Sequence, residues 1–363
     1  MKVFGVVPWA VRLPSVLLSA LAVLLLFSLA KQLASRSTAF WAAMLFAIQG
    51  HLIELASGRT SNDHPDTFLM VFVLAAIWAA GRMAAFDDMR YAIISGFFTG
   101  LAFLSKSWPA LLAIPVAFLL LYATRRYSLR RILLLHGAML LAAACVALPW
   151  SIYALLEFPE ETAAASTGHW KHFTENIESH GRPWTYFWSQ LPMIHGELVV
   201  IALIWFLLVP FRKNPHTHAV LLLWWLLPYI VFSLARTKMP AYTVTAVPAL
   251  CIIIAMAIDR WSSLPKEDRW RIPAFVGGAM LIVLPLRFSL DRTRPFAATV
   301  PHYTTPNALL VASPRTVLVN CPFPIETMFH TPIAGAYQGP LATEVGTLTQ
   351  LGYIIVDWPR PAQ

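Results

Sequence analysis

The chain has 363 residues, of which 58% are hydrophobic and only 12% are charged, and its mean hydropathy is +0.62. These values exclude an ordinary soluble domain and indicate a polytopic membrane protein. We attribute the formal net charge of +9 to basic loops on one side of the membrane and to attraction for anionic lipid head groups, and we expect no nucleic-acid partner.

Apolar runs long enough to cross a hydrocarbon core of roughly 30 Å predict about ten transmembrane helices. They cover residues 14–34, 38–57, 66–84, 91–105, 107–123, 132–155, 191–211, 218–235, 241–259 and 272–290. The fourth and fifth runs are short and meet near Lys106, where we favour two separate spans over one re-entrant pair.

Basic residues in the short loops predict the orientation of the chain, because cytoplasmic loops are enriched in lysine and arginine. Fourteen of them share one set of alternate loops, which we assign to the cytoplasm: Lys31, Arg36, Arg82, Arg90, Arg125, Arg126, Arg130, Arg131, Arg212, Lys213, Arg260, Lys266, Arg269 and Arg271. The outer segments hold eight: Lys2, Arg12, Arg59, Lys106, Lys171, Arg182, Arg236 and Lys238. Met1 is then expected on the outer face, and no signal peptide is expected there.

Two regions outside the membrane are predicted on the outer side. Residues 157–190 form a polar loop that contains His169, His172 and His180 and is too long for a plain connector. Residues 291–363 are expected to form a small extracytoplasmic α/β domain, separate from the transmembrane domain at residues 1–290.

The pattern of the tail is typical of short strands and one helix. Strands are predicted at Thr316–Asn320, Ile333–Tyr337 and Tyr353–Asp357, and a helix is predicted at Leu341–Leu351.

A single cation interrupts the apolar stretch from Gly100 to Pro109, at Lys106. A cation at the edge of the membrane is costly unless it meets an anion, so such a residue indicates a functional site. The anion that fits this position is a lipid phosphate.

Six short motifs, in order, resemble those of the GT-C glycosyltransferases, and most closely the branch that contains protein O-mannosyltransferases and the lipid A aminoarabinose transferase. They are Arg12–Ser15, Asp66–Phe72, Gly100–Lys106, Pro149–Trp150, His169–Phe173 with His180–Trp184, and Ser233–Tyr242. The resemblance implies a multi-pass GT-C fold in a bacterial inner membrane.

It also implies transfer of a sugar from a polyprenyl-phosphate donor to a lipid, protein or glycan acceptor on the outer face. Negative charge develops on the leaving phosphate, and a cation stabilises it. The outer cations available are Lys106, Lys238, Arg12 and Arg59, and Tyr242 is expected to donate a hydrogen bond to the same phosphate. The alternative is that Lys238 snorkels and that Tyr242 belongs to the aromatic belt.

An inverting transfer also needs a carboxylate that accepts the proton of the attacking hydroxyl. In the family this aspartate lies in a first outer loop that follows an opening helix, and we expect both to be missing from this chain. Asp63 and Asp66 are the candidates to replace it, although Asp66 also suits the N-cap of the third span. His169, His172 and His180 are assigned to the acceptor side or to the loop.

No cofactor is required by this chemistry, although histidine and carboxylate side chains of the loop suit a divalent metal as an alternative. The main hypothesis is a membrane glycosyltransferase. The competing hypothesis is a truncated or non-catalytic relative that binds a lipid-linked sugar without turnover. A transporter is disfavoured because the sequence has no internal repeat.

Overall fold

The computed structural model describes residues 7–58, 64–177, 180–208, 215–294, 313–321, 324, 327–328, 331–337, 339 and 345–358. The chain divides into two compact units. Pro8–Arg294 forms the first, and Pro295–Gln363 falls in the second.

The first unit is a bundle of helices. Its α-helices are α1 (Pro8–Leu33), α2 (Arg36–Ala47), α3 (Gly50–Ser57), α4 (His64–Phe86), α5 (Met89–Lys106), α6 (Ala113–Ala123), α7 (Leu129–Glu157), α8 (Pro159–Thr174), α9 (Tyr186–His195), α10 (Val199–Leu208), α11 (Pro215–Leu234), α12 (Val247–Ser262) and α13 (Arg271–Thr293). Two 3-10 segments, Trp108–Leu112 and Pro240–Ala246, lead into α6 and α12.

Every predicted span overlaps one or more of these helices, but the predicted number of about ten spans is not confirmed. Within the described residues, six helices are long and apolar enough to cross a membrane, and the total reaches eight if the bent pairs α2–α3 and α9–α10 each count as one span. The segment Trp108–Ala123 is apolar but shorter. The protein is an integral multi-pass membrane protein.

Burial separates inner helices from outer ones. In the most apolar 18-residue stretch, the buried share of residues is 89% for Pro240–Ser262 and 72% for α4. The corresponding share is 28% for α1 and for α7, and 22% for α13. The outer helices carry large exposed apolar side chains such as Leu141 and Leu156 on α7. Exposed apolar surface of this kind is stable only against lipid or another apolar surface.

Helices α5 and α7 approach each other closely because α5 carries two glycines one turn apart, Gly96 and Gly100. A Cβ atom built on Gly96 lies 2.1 Å from the carbonyl oxygen of Met139, and one built on Gly100 lies 2.6 Å from Cβ of Val146. Small residues four apart let two helix backbones pack in lipid, where the hydrophobic effect does not drive them together.

The polar outer region predicted at residues 157–190 contains helix α8 and the start of α9, which the sequence analysis did not predict. Helix α8 has no buried residue, so apolar periodicity does not reveal it. Its start is nevertheless favoured by Pro159 in the first turn and by the carboxylates of Glu160 and Glu161 at the positive end of the helix dipole.

The second unit contains the predicted small α/β fold. A parallel three-stranded sheet has the order β2-β1-β3, where β1 is Thr316–Val319, β2 is Gly335–Ala336 and β3 is Ile354–Asp357. Helix α14, Val345–Gln350, precedes β3. Leu318, Cys321, Ala336 and Trp358 form its small core. The three strands fall within the predicted segments.

We predict that Gly96→Ala destabilises the bundle, because the added methyl group meets a backbone oxygen that cannot rotate away. The expected loss is about 1–3 kcal/mol, as for overpacked cores, seen as a lower melting temperature of the detergent-solubilised protein. Gly137→Ala on α7 is the matched control, since nothing lies within 4 Å of its added Cβ. Equal melting temperatures for the two variants would contradict close packing at Gly96.

Candidate functional site

A cavity of about 440 Å³ lies where the start of α4, the end of α5, the end of α8 and the segment after α11 meet. Among the described residues it is lined by Pro65, Asp66, Leu69, Ser105, Lys106, Ser107, Trp108, Pro109, His169, His172, Phe173, Phe232, Met239 and Tyr242. Four of the six predicted motifs, Asp66–Phe72, Gly100–Lys106, His169–Phe173 and Ser233–Tyr242, thus contribute residues to this cavity. The motifs Arg12–Ser15 and Pro149–Trp150 do not contribute to its described lining.

The polar centre of the cavity is an ion pair between Lys106 and Asp66. The ammonium Nζ lies 2.6 Å from Oδ1 and 2.7 Å from Oδ2 of the carboxylate. The Asp66 side chain is 1% exposed and that of Lys106 is 25% exposed. The ammonium has three N–H groups, and outside Asp66 it has no acceptor among the described residues. One N–H therefore remains for a ligand in the cavity.

This pair also corrects the predicted N-cap role of Asp66. Helix α4 begins at His64, so Asp66 lies inside its first turn, and its carboxylate binds Lys106. Its negative charge still suits the positive end of the α4 dipole. Asp66 thus joins the start of α4 to the end of α5.

Lys106 reaches the cavity because α5 ends there. The next residue, Ser107, has φ 54° and ψ −134°, a conformation that is strained for a residue with a side chain. The chain then continues as the 3-10 segment from Trp108, with Pro109 in its first turn. Backbone strain of this kind persists only where the surrounding contacts hold it.

Tyr242 and His172 form a second polar pair on the cavity wall. The Tyr242 hydroxyl lies 3.3 Å from Nδ1 of His172. The Lys106 ammonium lies 5.5 Å from the centre of the Tyr242 ring, within cation–π range. Two predicted phosphate-binding residues, Lys106 and Tyr242, are therefore neighbours, and His172 joins them.

The segment between α11 and Pro240 holds α8 in place. The backbone N–H groups of Arg236 and Thr237 donate to the carbonyls of Phe173 and His172 at 3.0 Å. The fully buried Thr237 hydroxyl donates to the carbonyl of Glu175 at 2.8 Å and accepts from the Ile177 N–H at 2.9 Å. The sequence analysis included Thr237 in the Ser233–Tyr242 motif but gave it no role, because a threonine in a short loop carries no distinctive signal.

Aromatic rings form the apolar wall. The centroid of Trp108 lies 4.9 Å from that of Phe173 and 5.3 Å from that of Phe232, and Phe232 lies 5.1 Å from Tyr242. The sequence analysis did not assign these rings to the site. Their separation in the chain, by more than 60 residues in each pair except the last, hides the cluster from any local pattern.

Two of the other predicted cations, Lys238 and Arg12, lie outside the described lining of the cavity. The Lys238 ammonium donates to the backbone carbonyls of Arg182, at 3.1 Å, and Ala235, and Lys238 is not among the described residues that line the cavity. Burial lowers the pKa of Lys238, and the charge of Arg236 lowers it further. The guanidinium of Arg12 packs against Gly58, since a Cβ built on that glycine would overlap it.

The remaining predicted residues divide between the cavity and its surroundings. His169 lines the cavity and is exposed. His180 lies outside the described lining, and its carbonyl accepts from the Lys238 N–H at 3.0 Å. Arg59 and Asp63 lie outside the described residues. In the part of the chain that the structure describes, no group of three or more His, Cys, Asp or Glu side chains is arranged to hold a metal ion.

Comparison with known proteins shows which families the chain is similar to. The sequence model of the family described as dolichyl-phosphate-mannose-protein mannosyltransferase matches residues 1–153. The undecaprenyl phosphate-alpha-4-amino-4-deoxy-L-arabinose arabinosyl transferase of Pseudomonas aeruginosa strain UCBPP-PA14 is 33% identical over 279 residues, covering 70% of this chain and 47% of the relative. The undecaprenyl phosphate-alpha-4-amino-4-deoxy-L-arabinose arabinosyl transferase 1 of Pseudomonas fluorescens is 28% identical over 295 residues, covering 77% of this chain and 50% of the relative. The chain spans about half the length of these relatives.

Solved structures share the fold. The crystal structure of ArnT from Cupriavidus metallidurans bound to undecaprenyl phosphate matches with a TM-score of 0.59 and 18% identity, over 80% of this chain and 59% of that one. The oligosaccharyltransferase of Archaeoglobus fulgidus in the apo form matches with a TM-score of 0.57 and 14% identity, over 91% and 53%. The chain therefore has the fold that these structures share. Together with the sequence matches, this confirms the predicted resemblance to the GT-C glycosyltransferases.

Proposed function

We propose that this chain is a membrane glycosyltransferase, or the donor-binding part of one, that transfers a sugar from a polyprenyl phosphate to an acceptor on the outer face of a bacterial inner membrane. The observation that carries the proposal is the cavity in which Lys106, fixed by the buried Asp66, lies beside the Tyr242–His172 pair and an aromatic wall. The similarity to undecaprenyl-phosphate aminoarabinose transferases supports the same donor class.

The chemistry of the leaving group explains why this arrangement suits a polyprenyl-phosphate sugar. When the bond from the anomeric carbon to the phosphate oxygen breaks, a phosphodiester with one negative charge becomes a phosphomonoester that carries more. The free N–H of Lys106 and the hydroxyl of Tyr242 then bind that growing charge more strongly than the charge of the donor. Interactions that strengthen in this way lower the barrier.

Asp66 fits a positioning role better than the role of general base. Its carboxylate is almost fully buried and binds both N–H groups that Lys106 directs to it, so an acceptor hydroxyl has little access to it. We therefore propose Asp63 as the base, three residues earlier in the chain, and His169 as a contact for the acceptor at the exposed side of the cavity.

Undecaprenyl phosphate is expected to bind the purified chain through its phosphate. In native mass spectrometry, Lys106→Met is expected to weaken binding tenfold or more, because a hydrogen bond to a charged group contributes about 1.5–3 kcal/mol. Tyr242→Phe, which keeps the ring, is expected to weaken it by a few-fold. Lys171→Met on the exposed face of α8 is the control for loss of one positive charge and leaves binding unchanged. Equal binding of undecaprenol, which lacks the phosphate, would sink the proposal.

A measurement of turnover distinguishes the glycosyltransferase hypothesis from that of a non-catalytic relative. With undecaprenyl-phosphate-linked aminoarabinose as donor and lipid A as acceptor, we expect modified lipid A to form and Asp63→Asn to abolish it without loss of undecaprenyl phosphate binding. Mass spectrometry of the lipid product measures this. Full activity of Asp63→Asn removes that residue as the base, and donor binding without turnover under any acceptor favours the non-catalytic hypothesis.

A double-mutant cycle tests the ion pair itself. Lys106→Met removes the ammonium that neutralises a buried carboxylate, so we expect it to destabilise the protein by about 3 kcal/mol. Lys106→Met combined with Asp66→Asn is expected to recover much of that loss, since no buried charge remains. Thermal unfolding in detergent provides the four stabilities, and purely additive effects would contradict the pair.

A further inference from the structure

Two adjacent cavities lie at the opposite end of α4 from the Lys106 site. The smaller has a volume of about 230 Å³ and includes Ala84, near the end of α4, and the larger has about 530 Å³. Both are lined by Ala123 and His216. Asp66 and Ala84 are eighteen residues apart on one helix, which corresponds to roughly 27 Å along its axis. This is close to the thickness of a hydrocarbon core, so the two ends face opposite membrane surfaces.

The cavities are lined by arginine and histidine side chains. Arg125 and His216 line the larger cavity, and Arg126 and His216 line the smaller. No Asp or Glu is among the described lining residues of either cavity. Nearby Arg131 is paired with Asp87, Nε to Oδ1 at 2.9 Å, whereas Arg125 and Arg126 have no acidic partner in the described part of the chain.

The remaining wall of the larger cavity is apolar and opens towards the outside of the bundle. Ile132 and Ala219 form its inner side, while Tyr122 and Leu129 are 59% and 60% exposed. A ligand that fills it therefore needs an anionic group beside an apolar chain. Enrichment of basic residues in cytoplasmic loops explains the sign of the charge, but it does not explain a cavity that combines such residues with a wall of this kind.

We propose that this pair of cavities, the Arg125 site (Tyr122, Arg125, Arg126, Leu129, His216 and Ala219), binds one anionic phospholipid from the leaflet on the predicted cytoplasmic side. The lipid phosphate contacts Arg125, Arg126 and His216, and an acyl chain lies along Tyr122 and Leu129. Basic pockets between transmembrane helices on this side of a membrane suit such head groups. The site is separate from the proposed donor cavity and does not depend on its function.

Binding of dioleoyl phosphatidylglycerol to the full chain, by native mass spectrometry from detergent, tests the proposal. The wild-type protein is expected to retain one phosphatidylglycerol in preference to phosphatidylethanolamine with the same acyl chains. The variant Arg125→Ala/Arg126→Ala is expected to bind it on the order of tenfold more weakly, from the contribution of each arginine near a lipid head group. Arg90→Ala/Arg130→Ala removes the same charge from exposed positions outside the cavities and leaves the affinity unchanged.

A second variant keeps the charge and fills the space. Ala219→Phe places a ring in the larger cavity and is expected to lower phosphatidylglycerol binding while the melting temperature and undecaprenyl phosphate binding stay as in the wild type. Equal loss in the two double-arginine variants, or equal binding by Ala219→Phe and the wild type, would overturn the proposal in favour of nonspecific attraction between basic loops and anionic lipid.

Discussion

The ion pair between Lys106 and Asp66 is the interaction on which the arrangement of the site depends. An ammonium at the end of an apolar helix is stable only with an anion close by, and the buried carboxylate of Asp66 supplies one at 2.6 Å. A buried carboxylate equally requires its cation. The pair therefore fixes the start of α4 to the end of α5, and it leaves one N–H of the ammonium directed to neither helix.

Other contacts position the remaining residues of the cavity around the Lys106–Asp66 ion pair. Strain at Ser107 turns the chain from α5 into the segment that carries Trp108. Thr237 and its neighbours hold the end of α8, so His172 meets Tyr242. The rings of Trp108, Phe173 and Phe232 form the apolar side. A polyprenyl-phosphate ligand has the same division into a charged head and an apolar chain, which is why we propose this class of donor for the cavity.

Cations of the same residue type have different roles in this bundle because their surroundings differ. The ammonium of Lys106 binds a carboxylate and faces a cavity, while that of Lys238 binds two backbone carbonyls and stabilises a loop. Arg131 is neutralised by Asp87, whereas Arg125 and Arg126 line cavities without an acid. Charge and predicted membrane side are alike within each group. The groups that each side chain contacts therefore determine whether a cation stabilises the fold or is available to a ligand.

The sequence by itself determined the membrane class, the positions of the apolar helices, the strands of the tail and the place of an isolated cation at Lys106, because hydropathy and an isolated charge are local properties. It also showed the resemblance to GT-C glycosyltransferases, through six motifs that occur in the same order as in that superfamily. The pairing of Asp66 with Lys106, the helical state of α8, the aromatic wall and the position of Lys238 outside the cavity were decided by the tertiary structure alone. The contacts among these depend on residues that are mostly forty or more positions apart in the chain, and such pairing leaves no periodic signal in the sequence. Helix α8 leaves none either, because it has no buried face.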